Sequence, residues 1–404
     1  MSKDTPHTGR SVRRIRHRRD MTQEELAEAA GLSPGAVKLI EQGKRNPRPA
    51  TLAAIGRALG VSTTELLVPT AGTSVVTPDV EPDGLMAVRR ALTPAIGLPP
   101  GPAGPGDAKA WQATLTYAER LYTLDKYDGV LDAIPVLIEQ GRILHAAGDA
   151  RPLAQAYLYT AQALTQLRRL DLANHALHKA AGLARELSDD LLETWAVSIQ
   201  CWTMLLQRRF AEVEELAITT ADRIEPKRSA APSYRIATWG WLMCRASAAA
   251  VRDARTDDAE MYLRHAKAAA TQLGNPEQFQ ASAGWAPPPV RGFCETTVGY
   301  KQVENAILIG DAGKGLELAE RIPPSTVPTV NNRHRHELDL AAARVASGDH
   351  RGAIGQLLEV RAAAPEWLKH QSYARGVVGQ LVEDQRRSYA DQVGLLADHV
   401  GLPT

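Results

Sequence analysis

Three cysteines, at positions 201, 244 and 294, are all that 404 residues contain, and no two stand at CxxC spacing. That scarcity excludes a disulfide framework and a structural zinc site, and it points to a cytoplasmic protein with free thiols. Aromatic residues make up only 5% of the chain, with three Phe. The core must therefore be aliphatic, and the long Ala- and Leu-rich stretches favour helix. No run of about 18 apolar residues occurs, so no membrane span is expected. The polar, basic N-terminus lacks the apolar segment of a signal peptide. Overall charge is nearly absent too, at +1. Its distribution is uneven: residues 1–68 hold 12 Lys and Arg against 7 Asp and Glu, and the remainder holds 35 against 39. A small basic domain on a mildly acidic body predicts a polyanion partner for the N-terminal part alone.

Catalytic and cofactor motifs are also missing. "GDAGKG" lacks the spacing of a phosphate-binding loop and has Gly315 where Ser or Thr belongs. "RHRHEL" carries His334, His336 and Glu337, but residues two apart on a helix point away from each other. Asp171, His175 and His178 share a helix face, where surface polarity accounts for them better than a metal does. No Ser/His/Asp or Cys/His set has local support. The expectation is a protein without enzymatic activity, cofactor or metal.

What the sequence does have is punctuation. Thr22-Gln23-Glu24-Glu25 is a capping box opening a helix that Gly31 ends. Ser33 caps the next helix with Pro34 at its first position. Gly43 closes that helix, and Pro49 starts a fourth that Gly60 stops. Ser62-Thr63-Thr64-Glu65 opens a short fifth. The helices at 22–30 and 34–42, joined by a three-residue turn, form a helix-turn-helix. On a helical wheel Ala36, Val37 and Ile40 face the core, with Gly35, Lys38, Leu39 and Gln42 on the other side.

Residues 69–107 are rich in Pro and Gly and read as a semi-rigid linker, interrupted by a short helix near 85–92. From about 108 the chain reads as helical hairpins. Small residues open the second helix of each: Val130, Ala173, Val213, Ala259, Gly315 and Ala353. Steps of 43, 40, 46, 56 and 38 residues separate them, which predicts an α-solenoid of degenerate tetratricopeptide-like hairpins. The fold expected is all-α: a basic disordered arm at 1–11, a five-helix helix-turn-helix domain at 12–68, the linker at 69–107 and helical repeats at 108–404. Trp195, Trp202, Trp239 and Trp241 fall on the third and fourth hairpins as core residues, or as walls of a ligand pocket. Thr297, Lys301, Glu304 and Asn305 form a polar stripe, read either as a solvated face or as an effector site.

The segment "TQEELAEAAGLSPGAVKLIEQGKRNPRPATLAAIGRALGVSTTELL" resembles the phage-repressor type helix-turn-helix of the xenobiotic-response-element (XRE) family, over about residues 12–67. The resemblance implies that Gln23 contacts the DNA backbone and that the third helix enters the major groove. Its outward positions are Ser33, Pro34, Gly35, Lys38, Leu39 and Gln42, and Lys44, Arg45 and Arg48 follow as phosphate contacts. It also implies a structural pair between Arg16 and Glu41. Pro34 and Gly35 bring no side-chain donors, so readout falls to Lys38, Leu39 and the Ser33 hydroxyl, with groove shape contributing. Arg10, Arg13, Arg14, Arg18 and Arg19 could add backbone contacts. The C-terminal half resembles the helical-repeat half of actinobacterial XRE regulators. Together these imply a homodimer on a palindromic double-stranded DNA operator, responsive to a peptide or small-molecule effector. The other reading open at this point is an interaction scaffold that the head tethers to DNA.

Overall fold

The computed structural model describes residues 7–19, 21–61, 63, 66, 84–95, 106–226, 231–274, 290, 292–323, 328–383 and 389–402. Among them no strand occurs. The N-terminal part contains α1 (His7–Arg18), α2 (Gln23–Ala30), α3 (Pro34–Glu41) and α4 (Pro49–Leu59). The local chemistry explains the boundaries. Thr22 accepts from the Glu25 amide while Glu25 receives the Thr22 amide, so both orphan donors at the start of α2 are satisfied. Gly31 takes a left-handed φ of 64° and ends α2, a conformation that costs a side-chain-bearing residue about 1 kcal/mol or more. Ser33 caps α3 through the Ala36 amide, with Pro34 behind it. Val12, Ile15, Leu26, Val37, Ile40, Leu52, Ile55, Leu59 and Leu66 form one apolar core. Most of the second capping box (Ser62, Thr64 and Glu65) lies outside the described residues, although Thr63 and Leu66 are helical.

Two boundaries differ from expectation. Helix α1 begins at His7, so residues 7–11 are helical and are not an arm. The cause is tertiary: α1 crosses α3 so closely that a Cβ at Gly9 would lie 2.1 Å from the Ile40 carbonyl oxygen. Ser11 is buried there as well. Residues 1–6 of the expected arm lie outside the described residues. The helix foreseen inside the linker, α5 (Leu85–Leu92), buries Leu85, Val88 and Leu92 completely and packs on the second helix of the following pair. It belongs to the body, and the rest of the linker up to residue 105 lies largely outside the described residues.

The body is a succession of paired helices. They are α6 (Ala108–Thr123) with α7 (Tyr127–Ala146), α8 (Arg151–Gln166) with α9 (Leu170–Glu186), and α10 (Asp190–Leu206) with α11 (Phe210–Ile224). Then come α12 (Ser233–Arg252) with α13 (Thr256–Leu273), α14 (Glu295–Leu308) with α15 (Ala312–Glu320), and α16 (Val330–Ala346) with α17 (His350–Ala363). A single turn, α18 (Pro365–Leu368), leads to α19 (Ser372–Glu383) and α20 (Ala390–His399). The turns inside the first six pairs use the same device. Asp125, Arg168, Arg208, Ala254, Gly310 and Gly348 all take positive φ, at the same spacing as the small residues that open the second helices. Those small residues are buried where the two helices meet. One apolar cluster runs through the body from Leu85 to Val400. Among the described residues no helix is long and apolar enough to cross a membrane.

Candidate nucleic-acid interface

Helix α3 has two unlike faces. Val37 and Ile40 are buried in the head core, whereas Ser33, Pro34, Gly35, Lys38, Leu39 and Gln42 are exposed. Leu39 is 41% exposed and presents its apolar side chain on this outer face. Behind α3 the chain bends back, with the Lys44 and Arg45 amides both donating to the Leu39 carbonyl. Lys44, Arg45 and Arg48 are thereby held exposed beside the same face. Gly35 has open space around its missing Cβ, so a neighbouring backbone can approach the start of α3 closely.

A buried polar cluster fixes this face. The Arg16 guanidinium donates to Glu41 through Nε at 2.7 Å and Nη2 at 3.0 Å, and through Nη1 to the Met21 carbonyl at 2.7 Å. Hydrogen bonding to Glu41 holds the guanidinium above its ordinary pKa in spite of burial. The pair foreseen from the family resemblance therefore joins α1 to α3. Gln23 joins it: its Nε2 donates to Glu41 at 2.7 Å. Its amide group is thus engaged inside the head, and a phosphate contact at this position would fall to the amides of the first turn of α2. Ser33 Oγ is similarly occupied as an acceptor at the α3 cap, which leaves its O–H to donate outward. Arg13 and Arg19 are exposed, while the side chains of Arg10, Arg14 and Arg18 lie outside the description.

The candidate effector stripe on α14 divides. Thr297 is buried and donates to the Gly292 carbonyl at 2.7 Å, and Asn305 donates to Ser247 Oγ at 2.9 Å. Both hold α14 in place. Lys301 and Glu304 instead line a cavity in the body, joined by a 2.7 Å ion pair. The tryptophans divide as well. Trp195 is core and Trp239 packs edge-on to His265, whereas Trp202 and Trp241 line that cavity. Arg168, Arg245, Arg335 and Trp367 also line it, and sequence reasoning did not single them out. An Arg in the hairpin turn "RRLD" reads as solvated, and only closure of the body brings it inward. His334 and His336 point apart as their spacing requires: His334 meets Asp125 at 2.6 Å and His336 stacks on Tyr300 at 4.0 Å. Asp171, His175 and His178 are exposed, and His178 Nδ1 engages the Asn174 carbonyl.

Residues 12–66 match the helix-turn-helix family (HTH_3). The chain is also similar to the uncharacterized HTH-type transcriptional regulator y4dJ of Sinorhizobium fredii. The two are 40% identical over 62 residues, which are 15% of this chain and 80% of that protein. The matched segment coincides with the head whose third helix turns Lys38 and Leu39 outward. On these grounds the chain belongs to the helix-turn-helix family of DNA-binding transcriptional regulators.

Proposed function

We propose that this chain binds a palindromic double-stranded DNA operator as a homodimer, with α3 in the major groove. Lys38 is the base-reading cation in this reading, Leu39 and the Ser33 hydroxyl assist, and Pro34, Gly35 and Gln42 line the approach. Lys44, Arg45 and Arg48 contact phosphates beside them, with the start of α2 around Gln23. The body is an α-solenoid of tetratricopeptide-like hairpins that dimerises and senses an effector, and the effector changes the spacing or freedom of the two heads. The protein performs no catalysis.

The observation that carries the DNA reading is the pairing of an exposed α3 face with the buried Arg16–Glu41–Gln23 cluster that orients it. A helix meant only for water has no need of so rigid a mounting. The test is selection of bound DNA from a random duplex pool by the full-length chain. The expected result is one palindromic motif with half-sites about one helical turn apart. Recovery of unrelated sequences would contradict it.

A further inference from the structure

The body cavity of about 160 Å³ is lined by five cations and a single carboxylate. Arg252 and Lys301 each donate to Glu304 at 2.7 Å. Arg335 lies 3.7 Å from Glu304 and pairs with Asp339 at 3.2 Å. Burial disfavours the Glu304 charge, yet Lys301, Arg252 and Arg335 hold its carboxyl well below the ordinary range. Two carboxylates are therefore shared among three cations, and nothing remains for the other two.

Those two are Arg168 and Arg245. Arg168 donates through Nη2 to the Gln371 side-chain oxygen at 2.6 Å, while its Nε and Nη1 are shielded from solvent without a hydrogen-bond partner. Arg245 has its guanidinium carbon 5.5 Å from the ring centroids of both Trp202 and Trp241, and its Nε is likewise buried and unpartnered. Burial and the nearby Arg335 charge lower Arg168 to about 10, and burial lowers Arg245 as well. A guanidinium is not deprotonated in a protein, so both side chains are cations. Unpartnered buried donors are rare, because leaving them unmade is costly. The last turns of α8 and α10 end nearby, but their carbonyls supply only fractional negative charge and already accept turn amides. Arg168 also holds a left-handed φ of 61°, where the fifth and sixth hairpins use glycine. The side chain is retained at some conformational cost.

Trp202, Trp241, Trp367, Leu205 and Leu206 supply an apolar side of the wall with three flat indoles. Thr123, Gln166, Thr329, Asn331, Asn332 and Gln371 supply a neutral polar side. An apolar cavity of about 150 Å³ holds one benzene ring, so the space suits a single aromatic ring with a small substituent and is too small for several peptide residues. We infer that this cavity binds a compact aromatic carboxylate, its charge answering Arg168 and Arg245 and its ring lying against the Trp202 and Trp241 indoles. The inference rests on the reading of the body as the effector-sensing half. It moves the effector site from the α14 stripe to a pocket in which only Lys301 and Glu304 of that stripe take part. The walls come from hairpins far apart in the chain, so an occupant would tie them together.

The test uses the full-length chain, with benzoate and salicylate as probes and benzamide as the neutral counterpart. Binding is followed by calorimetry and by tryptophan fluorescence. The expected result is saturable 1:1 binding of a carboxylate, with benzamide weaker by about tenfold or more. Arg245→Gln and Arg168→Gln should each weaken the carboxylate by about tenfold or more while keeping the helical circular dichroism of the parent. Failure of both carboxylates to saturate below about 10 mM would overturn the inference. So would equal binding of benzamide, or saturation by inorganic phosphate alone. A second arm measures affinity for the selected DNA with and without bound carboxylate. Binding that leaves DNA affinity unchanged upholds the cavity and overturns the sensor reading, so the two failures are distinguishable.

Discussion

Glu41 gathers three donors into a site only 4% exposed: two from Arg16 and one from Gln23. Removing the cation leaves a buried carboxylate facing an amide. Arg16→Met should therefore destabilise the head by about 3–5 kcal/mol and abolish its DNA binding, read by urea unfolding and DNA titration. A milder test comes from His336. Burial first, and then the Lys301 charge, hold its imidazole down at about 4 against an unfolded value near 6.5. Burial and the Lys301 charge both disfavour the imidazolium, so the neutral form is the one that stacks on Tyr300 at neutral pH. Stability from this group is thus complete above about pH 6.5 and is lost as pH falls toward 4, by about 3 kcal/mol in all. His336→Phe keeps the stack and removes the titration. Thermal melts between pH 7 and pH 4 should show the parent losing more stability than the variant, and parallel loss in both would refute the assignment.

At the scale of elements, the turn chemistry is what sequence could foresee. Capping boxes, a proline at a first helical position and glycine after a last turn act within four or five residues. The boundaries of α2, α3 and α4 were legible for that reason. The start of α1 was not, since it depends on Gly9 meeting the Ile40 carbonyl from another helix. Packing of α5 on the body escaped notice although Leu85, Val88 and Leu92 recur at helical spacing, because proline and glycine on both sides outweighed three apolar residues. The hairpin rhythm was legible through its small residues, but its left-handed turn residues were not. Only Gly310 and Gly348 among the six betray themselves by type. Ala254 is one that gains nothing visible from its Cβ. Ala254→Gly should raise stability by roughly 0.5–1 kcal/mol, measured as a higher urea midpoint with unchanged slope.

Across the whole molecule, charge and shape divide between two parts. In the head, Lys38 on α3 and Lys44, Arg45 and Arg48 just beyond it are exposed, and that exposure was legible because these residues lie close together in the chain. The body keeps its unusual cations inside. That cavity was not legible, since it depends on contacts such as Arg168 with Gln371, 203 positions apart. Local sequence shows Lys301 and Glu304 as neighbours on a helix, and only the closed body shows which cations they leave unanswered. The two parts also predict different salt behaviour. Triple substitution of Lys44, Arg45 and Arg48 by Ala should weaken binding to every duplex alike and flatten the salt dependence by about three phosphate contacts.

The measurement that bears most directly on the account is the affinity of the full-length chain for its selected duplex and for a scrambled one, across a salt series, with Lys38→Ala beside the parent. If α3 reads the major groove through Lys38, the parent prefers the selected duplex by about 10³-fold or more at about 150 mM salt. Lys38→Ala then loses about 1–3 kcal/mol of that preference while its binding to the scrambled duplex changes little. Equal affinity for the two duplexes, or a preference that survives Lys38→Ala intact, would contradict the account.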